Sequence, residues 1–402
     1  MKIGIVTTWF ERGAAVVSRQ FMDVLTKQGH EIFIYARGGE EFAKKDANWN
    51  LPNVTWNSFL YSNIPTDINK KQFTLWIENN ELDAVLFNEQ QYLEPILWAK
   101  KLNVKTIAYV DYYTKYNFKA YRVYDQLWCN TKRHFSAFNW HKNAKYIPWG
   151  TDVELYSPKS KESKRDYYFF HSAGMSPFRK GTDVFVNALF HESEKLLAMD
   201  RKSLIHTQVS LTKSFPELKE KLDYLISNGL LDVVEKTVPA PGLYHKGTVY
   251  VYPSRLEGIG LTLAEAAMAG MYIITTDEEP MREFAMEGCA ALIPVVEKYE
   301  REDGYYWDMV TPSVIELSKI LLESPDINSN LICEKAKKDF DFKKNACVLS
   351  EHLNDLQVEA ISIKDIESIS NNDSKVGIMF KRKTVFNRYL FTVLKKLKMI
   401  LS

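Results

Sequence analysis

Residues 249–270 read Val249-Tyr-Val-Tyr-Pro-Ser-Arg-Leu-Glu-Gly-Ile-Gly-Leu-Thr-Leu-Ala-Glu-Ala-Ala-Met-Ala-Gly270. This stretch predicts a buried strand, a loop with two glycines and an alanine-rich helix, which together make one βα unit of a parallel sheet. Gly258 and Gly260 let the backbone approach a ligand closely. A helix that begins near Leu261 would offer unpaired N–H groups and its positive dipole end to a phosphate.

Two carboxylates flank this loop. Glu257 precedes the first glycine, and Glu265 lies about one turn inside the helix. The spacing puts one carboxylate at the ligand and the second behind it, which suits recognition of hydroxyls on a sugar and on a ribose at opposite ends of a diphosphate. The alternative is that Glu257 caps the helix and Glu265 is a solvated helix residue.

The same alternation of strands and helices runs along the whole chain. Its 402 residues are more than one hydrophobic core usually serves. The predicted strands are Ile3 to Thr8, Glu31 to Ala36, Ala84 to Asn88, Thr106 to Val110, Gln126 to Asn130, Lys145 to Pro148, Tyr167 to Ser172, Leu204 to Val209, Val233 to Val238, Thr248 to Tyr252, Tyr272 to Thr276 and Ala291 to Val295. We therefore predict an α/β protein of two Rossmann-like, doubly wound domains that face each other across a cleft.

The predicted domain boundaries follow breaks in composition. The first domain comprises residues 1–150 and the second residues 151–340, because Pro148-Trp-Gly-Thr-Asp152 interrupts the last strand of the first half. Residues 341–358 are predicted to form a terminal helix that closes the core. Residues 359–375 are predicted to be a polar linker, and residues 376–402 a basic amphipathic tail.

A second loop carries the cations that a diphosphate site needs. In Phe170-His-Ser-Ala-Gly-Met-Ser-Pro-Phe-Arg-Lys-Gly-Thr-Asp183, Arg179 and Lys180 stand at the entrance of a predicted helix, where fixed positive charges can neutralise a departing nucleoside diphosphate. The segment is not a P-loop, because Arg179 stands where G-x-x-x-x-G-K requires glycine. The alternative is a solvated basic loop.

The segment Arg255-Leu-Glu-Gly-Ile-Gly-Leu-Thr-Leu-Ala-Glu265 resembles the E-x7-E motif of retaining glycosyltransferases of family 4, which have the GT-B fold. The resemblance implies that Glu257 contacts hydroxyls of the donor sugar and that Glu265 binds the ribose. It also implies that the amides of the loop meet the diphosphate; the loop residues are Gly258, Ile259, Gly260 and Leu261. Family members commonly carry an arginine where this chain has Met175, which leaves Arg179 to supply that charge.

The resemblance also suggests site residues in the first domain. Gly13 lies in a loop similar to the one that closes over donor phosphates, or else it belongs to an ordinary turn. Asp111 stands where many relatives have a histidine against the donor sugar, or else it caps a helix. From their position alone, Glu89 and Gln90, which follow another strand, would line the acceptor side, or else form an ordinary polar strand end. His134 and its basic and aromatic neighbours are predicted to pack within the fold or to lie at its surface, without a role in the site.

Metals and cofactors have little support in the sequence. Asp339-Phe-Asp341 is formally a D-x-D pair, but it lies in a helix-forming stretch, where one of the two aspartates is predicted to cap a helix. The four cysteines form no C-x-x-C pair, so we expect no zinc site and a reducing, cytoplasmic environment. We predict a metal-independent enzyme without a cofactor, for which a nucleotide diphosphate sugar is the donor substrate.

The net charge of +1 conceals an uneven distribution. Residues 375–402 hold eight basic and no acidic side chains, which leaves 44 basic and 51 acidic residues, or a net charge of −7, for the rest. In the tail, Met379, Phe386 and Leu390 recur at helical spacing, and a basic amphipathic helix of this kind binds an anionic membrane surface. The alternative is a helix that packs on protein. An overall charge so near neutral argues against nucleic acid as a partner.

The sequence therefore predicts a retaining glycosyltransferase that moves a sugar from a nucleotide diphosphate donor to a hydroxyl of a glycan acceptor, free or lipid-linked. No covalent nucleophile is evident in the sequence. The resemblance implies a front-face mechanism assisted by the departing diphosphate. We expect a cytoplasmic protein, peripheral on the inner face of the cell membrane. The alternatives are a GT-B-fold sugar-nucleotide epimerase and a non-catalytic glycan-binding protein of the same fold.

Overall fold

The computed structural model describes residues 1–10, 13–37, 43–57, 66–158, 165–301, 304–323 and 325–373. They form two compact units. Unit 1 contains the described residues of Met1–Cys129, Ala137–Lys145 and Cys347–Ser402, and unit 2 contains those of Asn130–Ser136 and Tyr146–Ala346.

A seven-stranded sheet forms the centre of unit 1. Its strands lie in the order β3-β2-β1-β4-β5-β6-β7, and the neighbouring strands from β3 to β6 are parallel. The strands are β1 (Lys2–Thr7), β2 (Glu31–Ala36), β3 (Val54–Trp56), β4 (Ala84–Asn88), β5 (Lys105–Val110), β6 (Gln126–Cys129) and β7 (Ala144–Tyr146).

Between these strands, the described residues form helices and 3-10 turns. They are α1 (Gly13–Lys27), α2 (Lys70–Asn80), α3 (Glu94–Lys101), α4 (Lys132–Phe138) and the turns Ala43–Lys45 and Phe118–Val123. α1 turns Val17, Phe21 and Leu25 toward the core, because residues four apart share one helix face. In β1, Ile3, Ile5 and Val6 are fully buried, as expected for a parallel strand covered on both faces.

Unit 2 is built around a six-stranded parallel sheet and a short antiparallel hairpin. The sheet has the order β10-β9-β8-β11-β12-β13, and the hairpin pairs β14 with β15. The strands are β8 (Tyr167–Gly174), β9 (Ser203–Thr207), β10 (Leu231–Glu235), β11 (Gly247–Tyr252), β12 (Tyr272–Thr276), β13 (Ala290–Ile293), β14 (Val295–Tyr299) and β15 (Met309–Pro312).

Helices follow most strands of unit 2. They are α5 (Val153–Tyr156), α6 (Thr182–His191), α7 (Ser193–Ala198), α8 (Leu211–Ser214), α9 (Lys219–Ser227), α10 (Leu261–Met268), α11 (Val314–Leu322), α12 (Ser329–Asp339) and α13 (Phe342–Asn345). The 3-10 turns are Pro216–Leu218, Tyr244–Lys246 and Met281–Phe284. The chain then returns to unit 1 through the turn Ala346–Val348 and helix α14 (Leu349–Asn354).

These two sheets confirm the predicted fold class of two Rossmann-like α/β domains. Each of the twelve predicted strands overlaps an observed one, whereas β3, β14 and β15 were not predicted. The predicted terminal helix is divided into α13, a 3-10 turn and α14. Where the sequence predicts a polar linker, residues 363–373 are helical, because Ile369 and Asn372 are buried against unit 1 and stabilise the helix.

The predicted basic tail, residues 376–402, lies outside the described residues. In the described part of the chain, no helix combines the length and the apolar character needed to cross a membrane. All four cysteines are free thiols.

Candidate functional site

Two loops at the centre of the sheet of unit 2 form the candidate site. β8 and β11 are neighbours, and the strand order runs outward from them in opposite directions. In an open parallel sheet, such a reversal leaves a crevice at the carboxyl ends of the two strands, where ligands bind. The loop after β8 carries Arg179 and Lys180, and the loop after β11 carries Glu257.

The two carboxylate oxygens of Glu257 have different surroundings. Oε1 accepts hydrogen bonds from Ser254 Oγ at 2.6 Å, Lys180 Nζ at 2.7 Å, Tyr252 OH at 2.8 Å and Arg179 Nη1 at 3.1 Å. Within the described ranges, no group donates a hydrogen bond to Oε2. The carboxylate is therefore held through one oxygen while the other can bind a ligand.

Glu257 is ionised at any working pH. Burial by itself would raise the pKa of Glu257, but the positive charges of Lys180 and Arg179 outweigh it and hold the pKa at about 2. The side chain carries this charge although it is almost fully buried.

Lys180 titrates much closer to neutral pH. Burial lowers the pKa of Lys180 to about 8, and the adjacent charge of Arg179 adds to the effect. Its ammonium group also donates to the Tyr252 hydroxyl and lies 4.8 Å from the centre of the Tyr252 ring. Lys180 is therefore a cation fixed within the site rather than part of a solvated loop.

Gly181 allows close contact between the loop after β8 and the loop after β11. Gly181 has φ +70°, and a Cβ atom there would lie 1.9 Å from the carbonyl oxygen of Pro253. Next to this contact, the N–H of Arg255 donates to the carbonyl of Arg179 at 2.8 Å. Only a residue without a side chain permits this approach, which sets Arg179 and Lys180 beside Glu257.

The glycine loop, residues 257–261, leads into α10. Gly260 has φ +84° and is the N-cap residue, and no side chain caps the helix there. The alternative role of Glu257 as a helix cap is therefore wrong. The N–H groups of Gly258 and Ile259, like those of Gly260 and Leu261, have no acceptor among the described residues. Unpaired amides at a helix N-terminus favour an anion.

Both oxygens of Glu265 are bound by tyrosines. Oε1 accepts a hydrogen bond from Tyr156 OH at 2.9 Å, and Oε2 accepts one from Tyr244 OH at 2.6 Å. Burial raises the pKa of Glu265. Glu265 is therefore not the solvated helix residue of the alternative prediction. Each carboxylate oxygen keeps capacity to accept a further hydrogen bond.

The predicted site residues of unit 1 lie at the carboxyl ends of its strands. Gly13 is the first residue of α1 and is exposed, and Asp111 follows β5 and is half-buried. Glu89 follows β4 with φ +52° and a half-buried side chain. Gln90 is buried, and its amide nitrogen donates to the carbonyls of Thr66 and Tyr92, so its side chain holds the loop together instead of facing a ligand.

Several contacts of the site were not predicted from the sequence. Ser254 and Tyr252 hold Glu257, and Tyr244 holds Glu265. The alternation Val-Tyr-Val-Tyr places Tyr250 and Tyr252 on one face of β11. This pattern is the local sequence signal that could have indicated the contact of Tyr252 with Glu257. His134 is fully buried, and its Nε2 lies 2.9 Å from the carbonyl oxygen of Gly258, so the prediction of a packing and surface role was incomplete.

The two aspartates of the formal D-x-D pair lie at helix ends. Asp341 is the N-cap residue of α13, and its side chain accepts a hydrogen bond from the N–H of Lys344 at 3.3 Å, which confirms the predicted capping role. Asp339 is the last residue of α12. Within the described ranges, no group of three or more His, Cys, Asp or Glu side chains is arranged to hold a metal ion.

The sequence of unit 2 matches a known family. Residues 166–302 match the sequence model of the family described as glycosyl transferases group 1. This segment contains both loops of the candidate site and both glutamates. None of the curated protein sequences is significantly similar to the chain.

Solved glycosyltransferase structures share the fold of most of the chain. HepE of Anabaena, in complex with UDP and glucose, is 15% identical with a TM-score of 0.64, and the match covers 89% of this chain and 100% of HepE. A glycosyltransferase from Rickettsia africae is 15% identical with a TM-score of 0.64, over 88% of this chain and 99% of that one. The lipopolysaccharide outer core galactosyltransferase WaaB is 14% identical with a TM-score of 0.56, over 87% and 100%.

These matches identify the fold as that of the GT-B glycosyltransferases, as the sequence predicts. At such low identities they show the fold alone, so the reaction must be argued from the site.

Proposed function

We propose that the protein is a retaining glycosyltransferase that transfers a sugar from a nucleotide diphosphate donor to a hydroxyl of a glycan acceptor. The observation that carries the proposal is the difference between the two carboxylate oxygens of Glu257. Two cations and two hydroxyls donate to Oε1, whereas Oε2 has no donor among the described residues. A carboxylate held in this way orients a sugar through its hydroxyls. Glu257 directly precedes the unpaired amides of Gly258 to Leu261, which suit a diphosphate.

The proposed mechanism is a front-face displacement. The bond between the anomeric carbon and the diphosphate oxygen breaks, and the acceptor oxygen bonds to the same face of that carbon. The departing diphosphate takes the proton of the acceptor hydroxyl. Arg179, Lys180 and the amides of the glycine loop stabilise the negative charge that develops on the diphosphate. These groups perform the work for which other enzymes use a divalent metal, so the proposed reaction is metal-independent.

Donor and acceptor are proposed by class. HepE was solved with UDP and glucose, which makes UDP-sugars the first donors to test. WaaB is by name a galactosyltransferase of the lipopolysaccharide outer core, which makes lipid-linked glycans reasonable first acceptors. The basic tail adds a proposed peripheral location on the cytoplasmic membrane face, because the eight cations of residues 375–402, with no acidic residue among them, are attracted to anionic lipids.

A thermal-shift panel of nucleoside diphosphates and their sugar conjugates tests the donor site. A ligand that binds only the native state raises the melting temperature, so at least one nucleoside diphosphate should stabilise the protein. If none does, the protein is not an enzyme of this kind, and a non-catalytic glycan-binding role replaces the proposal.

Product analysis tests the reaction. Transfer with retention should give a product whose new bond has the anomeric configuration of the donor, as measured by NMR. Inversion would contradict the front-face mechanism. Conversion of the donor sugar in the absence of any acceptor would identify an epimerase instead.

A further inference from the structure

Two residues outside the recognised motif hold the backbone of the glycine loop. Arg133 Nη2 donates to the carbonyl of Glu257, and His134 Nε2 lies 2.9 Å from the carbonyl oxygen of Gly258. All four residues belong to unit 2, although 124 positions separate the members of each pair in the chain. Two successive carbonyls of the loop are thus held by neighbouring side chains at the start of α4.

Fixing a carbonyl also fixes the direction of the next amide. A trans peptide is planar, so the C=O of one residue and the N–H of the next point in opposite directions. Arg133 therefore turns the N–H of Gly258 away from α4, and His134 does the same for the N–H of Ile259. Neither N–H has an acceptor among the described residues, so both remain available to a ligand.

The side chain of Arg133 is itself immobilised. It is 5% exposed, and its Nη1 donates to the carbonyl of Glu279 at 2.7 Å. Its guanidinium lies 5.1 Å from the centre of the Trp307 ring. The backbone N–H groups of Lys132 and Arg133 donate to the carboxylate of Glu283 at 2.9 Å and 3.3 Å. These contacts hold Arg133 in place without help from a ligand.

His134 acts as a neutral donor. It is fully buried, and burial, together with the charge of Arg133, lowers its pKa to about 3. A neutral imidazole carries one N–H, and because the partner of Nε2 is a carbonyl oxygen, that proton lies on Nε2. The bond to Gly258 therefore persists across the whole working pH range.

We propose that Arg133 and His134 are positioning residues that orient the amides of Gly258 and Ile259 toward the donor diphosphate. This inference rests on the proposed function, since it assigns the diphosphate to the glycine loop. Neither residue touches the ligand; both act through the loop. Preorganised amides bind an anion better than mobile ones, because the cost of ordering them is met during folding. Loss of either contact should therefore weaken binding of the diphosphate more than binding of the nucleoside.

The experiment compares the affinities of UDP and UMP for the full-length protein by calorimetry. His134→Ala and Arg133→Met should each weaken UDP binding at least tenfold and binding of UMP, which carries one phosphate fewer, by a clearly smaller factor. Gln places an N–H near the position of Nε2, so His134→Gln should recover most of the UDP affinity. His141→Gln is the matched control, because His141 is also buried and its Nε2 lies 3.1 Å from a backbone carbonyl, that of Tyr124 in unit 1. It should change neither affinity.

The ratio of the two affinities separates positioning from general damage, because a misfolded or loosened protein loses UDP and UMP alike. If the ratio in His134→Ala and Arg133→Met equals that of the wild type, the inference is wrong while the proposed function stands. Should a variant fail to fold, His134→Gln and Arg133→Lys decide the question. Arg133→Lys retains only one of the two arginine contacts, so it should lower the ratio of UDP affinity to UMP affinity. If the wild type binds neither UDP nor any other nucleoside diphosphate, the proposed function and this inference fall together.

Discussion

At the scale of single residues, the site depends on a difference in hydrogen bonding between the two oxygens of one carboxylate. Two cations and two hydroxyls bind Oε1 of Glu257, and this offsets the cost of burying a charge that would otherwise become protonated. Oε2 keeps its hydrogen-bonding capacity. In the proposed function, Oε2 therefore accepts hydrogen bonds from the hydroxyls of a neutral sugar, and the contacts of Oε1 keep the carboxylate charged and oriented.

Lys180 sets the expected dependence of activity on pH. Its pKa is lowered to about 8, so the side chain is charged below that pH and neutral above it. Because the charged form stabilises the departing diphosphate, kcat/KM should be flat from about pH 5 to 7.5 and fall about tenfold per pH unit above 8. Glu257, with a pKa of about 2, adds no step in this range.

The matched variant is Lys180→Arg, whose guanidinium stays charged to much higher pH. It should move the alkaline decline beyond pH 9 in a pH–rate profile, even if the maximum rate is lower. An unchanged alkaline decline in Lys180→Arg would assign the titration to another group.

Some residue contacts were predictable and others were not. Glu257, Arg179 and Lys180 could be predicted because each lies in a short motif at the end of a strand. Tyr156 could not, because it reaches Glu265 from 109 positions away, and no local pattern encodes such a contact. Gln90 was predicted to face the acceptor, but the sequence does not show that Arg37 and Thr66 occupy its side chain.

At the scale of elements, the approach of two loops depends on Gly181. Gly181→Ala should lower the free energy of unfolding by more than the cost of backbone strain alone, which is about 1–3 kcal/mol. The excess is expected because the new Cβ would lie 1.9 Å from the Pro253 carbonyl oxygen. Chemical denaturation measures the change.

Gly229→Ala is the control for this prediction. Gly229 has φ +73°, almost that of Gly181 at +70°, but a Cβ there would meet nothing within 4 Å. It should therefore show the strain without the clash. Equal destabilisation by the two substitutions would mean that the loops move apart easily and that the contact does not position Lys180.

Strands are most readily predicted from the sequence where burial on both faces gives them a continuous run of apolar residues. β1, β4 and β11 are parallel strands covered on both faces, and their runs of β-branched and aromatic residues are distinctive. β14 has mostly exposed side chains and pairs with β15 across residues 300–308, so it lacks that pattern. Residues 363–373 are polar in sequence, and their helix forms through contacts with the distant segment around Gln91.

At the scale of the whole molecule, charge separates the tail from the body. Residues 375–402 hold eight basic residues, seven of them in the tail, and the rest of the chain has a net charge of −7. Truncation after Ser374 should abolish sedimentation with vesicles rich in phosphatidylglycerol, and added salt should weaken binding of the intact chain. Vesicles of phosphatidylcholine are the control lipid.

The truncation should leave the fold intact. Asp373 is retained, and its carboxylate accepts the N–H groups of Leu93 and Glu94 at 2.9 Å and 3.0 Å, at the start of α3. If the shortened protein sediments with anionic vesicles as well as the intact one, the tail does not bind the membrane, and packing on protein is its role.

The central claim is that the carboxylate of Glu257 orients the sugar of a nucleotide donor for transfer. The most direct measurement is release of nucleoside diphosphate from the best donor of the panel, with a membrane glycolipid extract as acceptor, by the wild type and by Glu257→Gln. We predict a loss of about 10²- to 10³-fold in kcat/KM, while affinity for the free nucleoside diphosphate stays within about threefold, since the amide keeps the shape but loses the charge. Equal rates in the two proteins would contradict the account.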